Sequence, residues 1–133
     1  MTRSKKGFTL MEMLIVIAII VILIAIAIPT FASTLERARE TADAANIRSN
    51  YAEAMVAYLN GDVDEDGVAS PEEPIEITQT KSGWNYVELP EYLGADDDFE
   101  PTKGDKVIVT VADDDDAGYV VSTDEYEGGT EGE

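Results

Sequence analysis

Hydrophobic and polar positions divide the chain into three stretches. From Phe8 to Ile28 almost every side chain is apolar, and Met13 to Ile28, MLIVIAIIVILIAIAI, carries no charge at all. A helix with no polar face belongs in lipid or inside a large core. The acidic remainder of the chain is too small to surround one, and 21 helical residues reach roughly 30 Å, enough to cross a bilayer. From Pro29 to Asn60 apolar residues instead recur every three or four positions: Phe31, Leu35, Ala38, Ala42 and Ala45, then Ile47, Tyr51, Met55, Tyr58 and Leu59. This spacing predicts a helix with one apolar face, and Glu36, Arg39 and Asp43 pair at helical intervals on what reads as its solvent side. Asn60-Gly61 supplies a left-handed stop. One helix from Phe8 to Asn60 is expected, with Pro29 predicting a kink or local unwinding at the junction.

Beyond Gly61 the period shortens to two. Ile75 to Thr78, Trp84 to Leu89, Lys106 to Val111 and Tyr119 to Thr123 read as strands, the last two forming a hairpin across Asp113 to Gly118. A small antiparallel sheet over about residues 75–123 is expected to cover the apolar stripe from Leu35 to Leu59, giving an α+β fold. Residues 124–133, rich in Gly and Glu, read as a disordered tail. There is no internal repeat, glycine-rich phosphate loop or oriented catalytic constellation, so no enzyme is predicted.

Charge sharpens the division. The 133 residues include 28 acids and 9 bases, a net charge of −19. Arg3, Lys5 and Lys6 precede the apolar run, whereas 27 acids and 6 bases follow from Pro29 onward, leaving that part at −21. The positive-inside rule puts the N-terminus in the cytoplasm and the acidic head outside. Such a head repels phosphate backbones, so direct nucleic-acid binding is not expected. Without Cys or His the chain has no disulfide, no thiolate or imidazole metal site and no histidine acid–base chemistry. Lys5-Lys6, the apolar run and Ala25-Ile26-Ala27 also imitate an ordinary signal peptide, which would release a secreted calcium-binding module. Against this, the run exceeds the usual length of the apolar region in such signals, and it carries Glu12, a charge that is costly within a membrane segment.

Lys5-Lys6-Gly7, followed by Phe8-Thr9-Leu10-Met11-Glu12 and a long apolar helix, resembles the N-terminus of the type IV pilin family. The likeness is motif-level over residues 5 to 29 and architectural to about Asn60. It implies removal of a leader, residues 1–7, by prepilin peptidase between Gly7 and Phe8, and methylation of the new amine of Phe8. It further implies a helix half at 8–29 that spans the membrane and later forms the filament core, with Glu12 and Pro29 as assembly positions, and an extracytoplasmic head over 30–133. An unpaired carboxylate at Glu12 costs several kcal/mol among apolar helices, and a neighbour's Phe8 amine can neutralise it. In a plain membrane anchor Glu12 would instead snorkel to the interface. The resemblance thus implies self-association into a helical filament with the help of the pilus assembly machinery, the subunit waiting in the membrane beforehand and sitting in an extracellular pilus afterwards. A pseudopilin of a secretion or competence system would share the same stem. The lack of cysteine departs from members with a C-terminal disulfide loop and points to a disulfide-free group, as in many Gram-positive pilins.

One further motif stands after the helix. Asp62-Val-Asp-Glu-Asp-Gly-Val-Ala-Ser-Pro-Glu-Glu73 fits D-x-D-x-D-G-x5-E. Calcium takes six to eight hard oxygens, and the segment offers carboxylates at Asp62, Asp64, Asp66 and Glu73, the Val68 carbonyl and Ser70, with Gly67 at the sharp turn. Pro71 and Pro74 oppose the second helix of a paired EF-hand. The competing reading is a solvated acidic turn. Asp96 to Asp98 and Asp113 to Asp116 are weaker cation candidates, since charge runs at loop tips are usually solvated.

Overall fold

A computed structural model describes residues 4–95 and 99–127. The fold is α+β: a long N-terminal helix, and a small four-stranded antiparallel sheet packed against the helix's later part. The chain divides into two compact units, one ending at Leu35 and the other beginning at Glu36.

Helix α1, Leu10–Asn60, runs through both. In the first unit the apolar residues of its run are exposed apart from half-buried Ala27, and it is long and apolar enough to cross a membrane. Helical structure continues through Pro29, so the expected unwinding does not occur. Proline removes one backbone donor, and just beyond it the Thr30 hydroxyl donates to the Ile26 carbonyl at 3.1 Å. At its far end α1 stops where the sequence indicates. Gly61 is left-handed, its N–H donating to Tyr58 O (3.1 Å) and that of Asp62 to Ala57 O (2.9 Å), the two bonds of a Schellman cap.

In the second unit, β3 (Lys106–Asp114) is the central strand. β4 (Gly118–Glu125) pairs along one edge, and the short β1 (Val68–Ala69) and β2 (Ile75–Glu76) share the other. Alternation in β3 turns Val107, Val109 and Val111 inward. Val107 and Val109 pack with Ile47, Ile77 and Leu93, while Val111 packs with Ala54 and Ala69. The hairpin joining β3 to β4 is the expected one, and β4 reaches Glu125, past the expected end of the sheet. Residues 128–133 of the acidic tail and Asp96 to Asp98 lie outside the described residues.

Two expectations fail, one of them in part, for one shared reason. Of the predicted apolar stripe on α1 only the later part packs on the sheet: Ile47 is buried and Tyr51, Met55 and Tyr58 are half-buried against the core, but the earlier part is not the buried face. Phe31, Leu35, Ala38, Ala42 and Ala45 are exposed, Leu35 by 53% and Leu59 by 75%, while Glu36 (2%), Glu40 (0%) and Asp43 (1%) are buried. The interval from Ala45 to Ile47 is two residues, a turn of about 200° that carries the pattern to another side of the helix. Nor do residues 84–89 form a strand. They belong to an irregular segment whose backbone donors point at those three carboxylates instead of at a neighbouring strand.

Candidate functional site

The helix begins just past the junction that the sequence singles out. Residues 4–9 have no regular structure, Gly7 has open space around it, and Phe8 is 84% exposed. Thr9 caps the helix. Its N–H donates to Glu12 Oε2 at 2.8 Å, and the Glu12 N–H donates back to Thr9 Oγ1 at 3.2 Å. This reciprocal pair is a capping box, legible in Thr9-Leu-Met-Glu12 yet missed in reading Glu12 as an assembly residue alone. The cap leaves Gly7-Phe8 as an accessible peptide outside the helix and gives the Glu12 carboxylate an intramolecular partner. Pro29, the other position expected to matter in assembly, lies inside α1.

The buried carboxylates form a second constellation. Glu36 accepts from the Thr80 N–H (2.6 Å), the Thr80 hydroxyl (2.5 Å) and the Lys81 N–H (2.7 Å). Glu40 accepts from the N–H groups of Asn85, Tyr86 and Val87. Asp43 accepts from the Thr78 N–H and hydroxyl and from the Gln79 N–H. Burial alone would raise the Glu36 pKa. The bonds from the Thr80 hydroxyl, the two N–H groups and Arg39 at 3.4 Å outweigh it and hold the pKa at about 2. Gln79, fully buried, ties the same segment down by donating to the carbonyls of Gly83 (2.8 Å) and Pro101 (3.1 Å). These bonds tie the irregular segment to the helix, and within it Gln79 Oε1 and Trp84 Nε1 are buried without a partner.

The acidic loop has part of the turn that its motif requires. Gly67 is left-handed at φ 79°, and Asp64 Oδ1 accepts from the N–H groups of Asp66 and Val68, both at 2.9 Å. The Val68 carbonyl accepts from the Asp64 N–H, and the Glu73 carbonyl from Asn50 Nδ2. Val68 and Ala69 pair with Ala112 and Val111, so β3 supplies the strand that a sister loop would offer in a paired EF-hand. The side chains are not assembled. Asp62, Asp64, Asp66 and Ser70 are exposed, and among the described residues no three acidic side chains stand close enough to share an ion. At the hairpin tip Asp113 accepts from the Tyr58 hydroxyl at 2.6 Å, and Asp114 accepts from the N–H groups of Asp116 and Ala117.

Against known families, the model described as the prokaryotic N-terminal methylation motif matches residues 2–28. No curated protein and no solved structure is similar enough to match. The matched stretch takes in Gly7, Phe8, Glu12 and the whole apolar run, and it ends one residue before Pro29. At its N-terminus this chain carries the prepilin signature of type IV pilins and pseudopilins, a methylation and processing motif joined to a helix able to anchor a precursor in a membrane.

Proposed function

We propose that the chain is a structural subunit of a type IV pilus or pilus-like filament. Prepilin peptidase removes residues 1–7, Phe8 is methylated, and the mature subunit leaves the membrane for a helical filament built on its N-terminal helix. The observation that carries this reading is the methylation motif at residues 2–28 set on an apolar helix that the chain itself leaves uncovered. Exposing so much apolar surface is stable only in lipid or against other copies. Before processing, the three cations of the leader hold the N-terminus on the cytoplasmic side. Their removal takes away that anchor, and the Phe8 amine becomes available to a neighbour's Glu12.

Calcium is part of the same proposal. The donor chemistry of the loop suits a hard cation: carboxylates at Asp62, Asp64, Asp66 and Glu73, the Val68 carbonyl, the Ser70 hydroxyl and a glycine turn. The ion would supply charge neutralisation among these acidic groups.

Substitution at Glu12 tests the assembly claim. In a host that makes such filaments, Glu12→Gln keeps a capping acceptor and loses the charge, whereas Glu12→Ala loses both. Both variants are expected to insert and to be cleaved, with sheared surface filaments falling at least tenfold. Wild-type yield from Glu12→Gln would remove the charge-pairing argument. A wild-type chain that is processed yet never recovered in surface filaments would favour the pseudopilin reading.

A further inference from the structure

Four tyrosines gather where α1, the 3-10 turn Glu91–Leu93 and β4 meet. Tyr51 and Tyr92 have ring centroids 5.4 Å apart, tilted by 54°, and Tyr58 and Tyr119 stand 6.0 Å apart at 49°. Tyr51, Tyr92 and Tyr119 line a cavity of about 410 Å³ together with Glu91 and Val121. Among the described residues, none in its lining is basic. The walls are fixed from behind. Tyr51 packs against the core of Ile47 and Val109. The Tyr58 hydroxyl, behind Tyr119, is anchored on Asp113 at 2.6 Å and on the Gly118 carbonyl at 3.2 Å. Gly94, left-handed at φ 62°, lets the 3-10 turn lie so close to β4 that a Cβ there would overlap the Val121 carbonyl.

We propose that this cavity binds an organic cation of the quaternary or alkylated ammonium class. Aromatic faces carry negative quadrupole and attract a weakly hydrated cation, and a carboxylate at the rim adds charge attraction. The acidic head, at −21, raises the local concentration of any cation and rejects anions. Burial, then the neighbouring Tyr119 and Tyr92, push the Tyr51 phenol above its ordinary 10.0. A sugar would instead need several polar side chains aimed at its hydroxyls, and among the described residues Glu91 is the sole charged group in the lining. Metal ions are a poor match, because phenols and one carboxylate do not replace a hydration shell.

The test uses the full chain with tyrosine rings isotope-labelled, held in maltoside micelles and titrated with tetramethylammonium chloride against sodium chloride at equal ionic strength. Saturable ring shifts are expected at Tyr51, Tyr92 and Tyr119, with Tyr86 unmoved. Tyr92→Phe should bind as wild type, Tyr92→Leu about fivefold or more weakly, and Glu91→Gln measurably more weakly. The Val107 and Val109 methyl signals report that each variant keeps its core. Phosphatidylcholine nanodiscs, compared with phosphatidylglycerol nanodiscs, separate a lipid headgroup from a free ligand: shifts before any titrant is added assign the headgroup. Equal shifts with both salts together with identical spectra in both nanodiscs, or undiminished binding by Tyr92→Leu, would overturn the proposal.

Discussion

Glu40 receives three backbone N–H groups and is fully buried, so the irregular segment after β2 depends on it as a strand depends on its neighbour. Glu40→Ala leaves the donors of Asn85, Tyr86 and Val87 unanswered, and each buried unsatisfied group costs about 1–3 kcal/mol. A destabilisation of at least ~3 kcal/mol is expected by denaturant unfolding of the full chain in detergent. Glu36 makes a different mark. Its pKa falls from 4.5 to about 2 on folding, so its contribution is complete above pH 4.5 and fades as pH drops toward 2. With solvent screening just under the surface, the loss is on the order of 1–2 kcal/mol. Thermal unfolding across pH 2 to 6 should show this fall in wild type and a flatter curve in Glu36→Gln. These residues were the least legible in the sequence. Glu36, Arg39 and Asp43 at helical spacing imitate a solvated face, and nothing local tells that a loop far along the chain will present its amides to them. The Thr9–Glu12 cap, by contrast, was written in four adjacent residues.

Elements were readable wherever local chemistry fixed them. The all-apolar run and the Asn60-Gly61 stop place α1, and the alternation of Val107, Val109 and Val111 places β3. β1 and β2, at two residues each, carry too little pattern to announce themselves, and their pairing is decided by the long partner strand. Trp84 to Leu89 alternates as a strand does, yet its donors are taken by the helix. The acidic loop before β1 is where an ion would matter. Asp62, Asp64, Glu65, Asp66, Glu72 and Glu73 crowd six acids into 12 residues without a base. An ion that binds the folded loop adds RT ln(1 + [L]/Kd), about 2.7 kcal/mol at a hundredfold excess over Kd. The full chain in detergent is expected to melt higher in millimolar calcium than in chelator, with magnesium a poor substitute because of its stricter octahedral geometry. The double variant Asp62→Ala, Asp64→Ala should lose that difference and keep its fold, since the core of Ile47, Ile77 and Val109 does not involve the loop. Equal melting in both buffers would make the segment a simple acidic turn.

For the molecule as a whole, the decisive feature is apolar surface that the chain does not cover. Within the second unit, Ala38, Ala42, Ala45, Ala52, Val56 and Leu59 recur every three or four residues with Ser49 between them, away from the buried Glu40, Ile47 and Ala54. Small side chains allow close helix approach, and their exposure fits a surface completed by other copies. Ala42→Glu should therefore leave the melting temperature nearly unchanged, as exposed substitutions do, and reduce filament yield by tenfold or more. Unchanged yield would exclude this face from assembly.

All of this rests on processing at one bond. The intact mass and N-terminal sequence of the mature protein, purified from a host with an active prepilin peptidase, examine it directly. The expected chain begins at Phe8, lacks residues 1–7 and carries one added methyl group on its terminal amine. A mature chain beginning at Ile28, after Ala25-Ile26-Ala27, would contradict it: the apolar helix would then be a discarded signal, and the acidic head a secreted protein on its own.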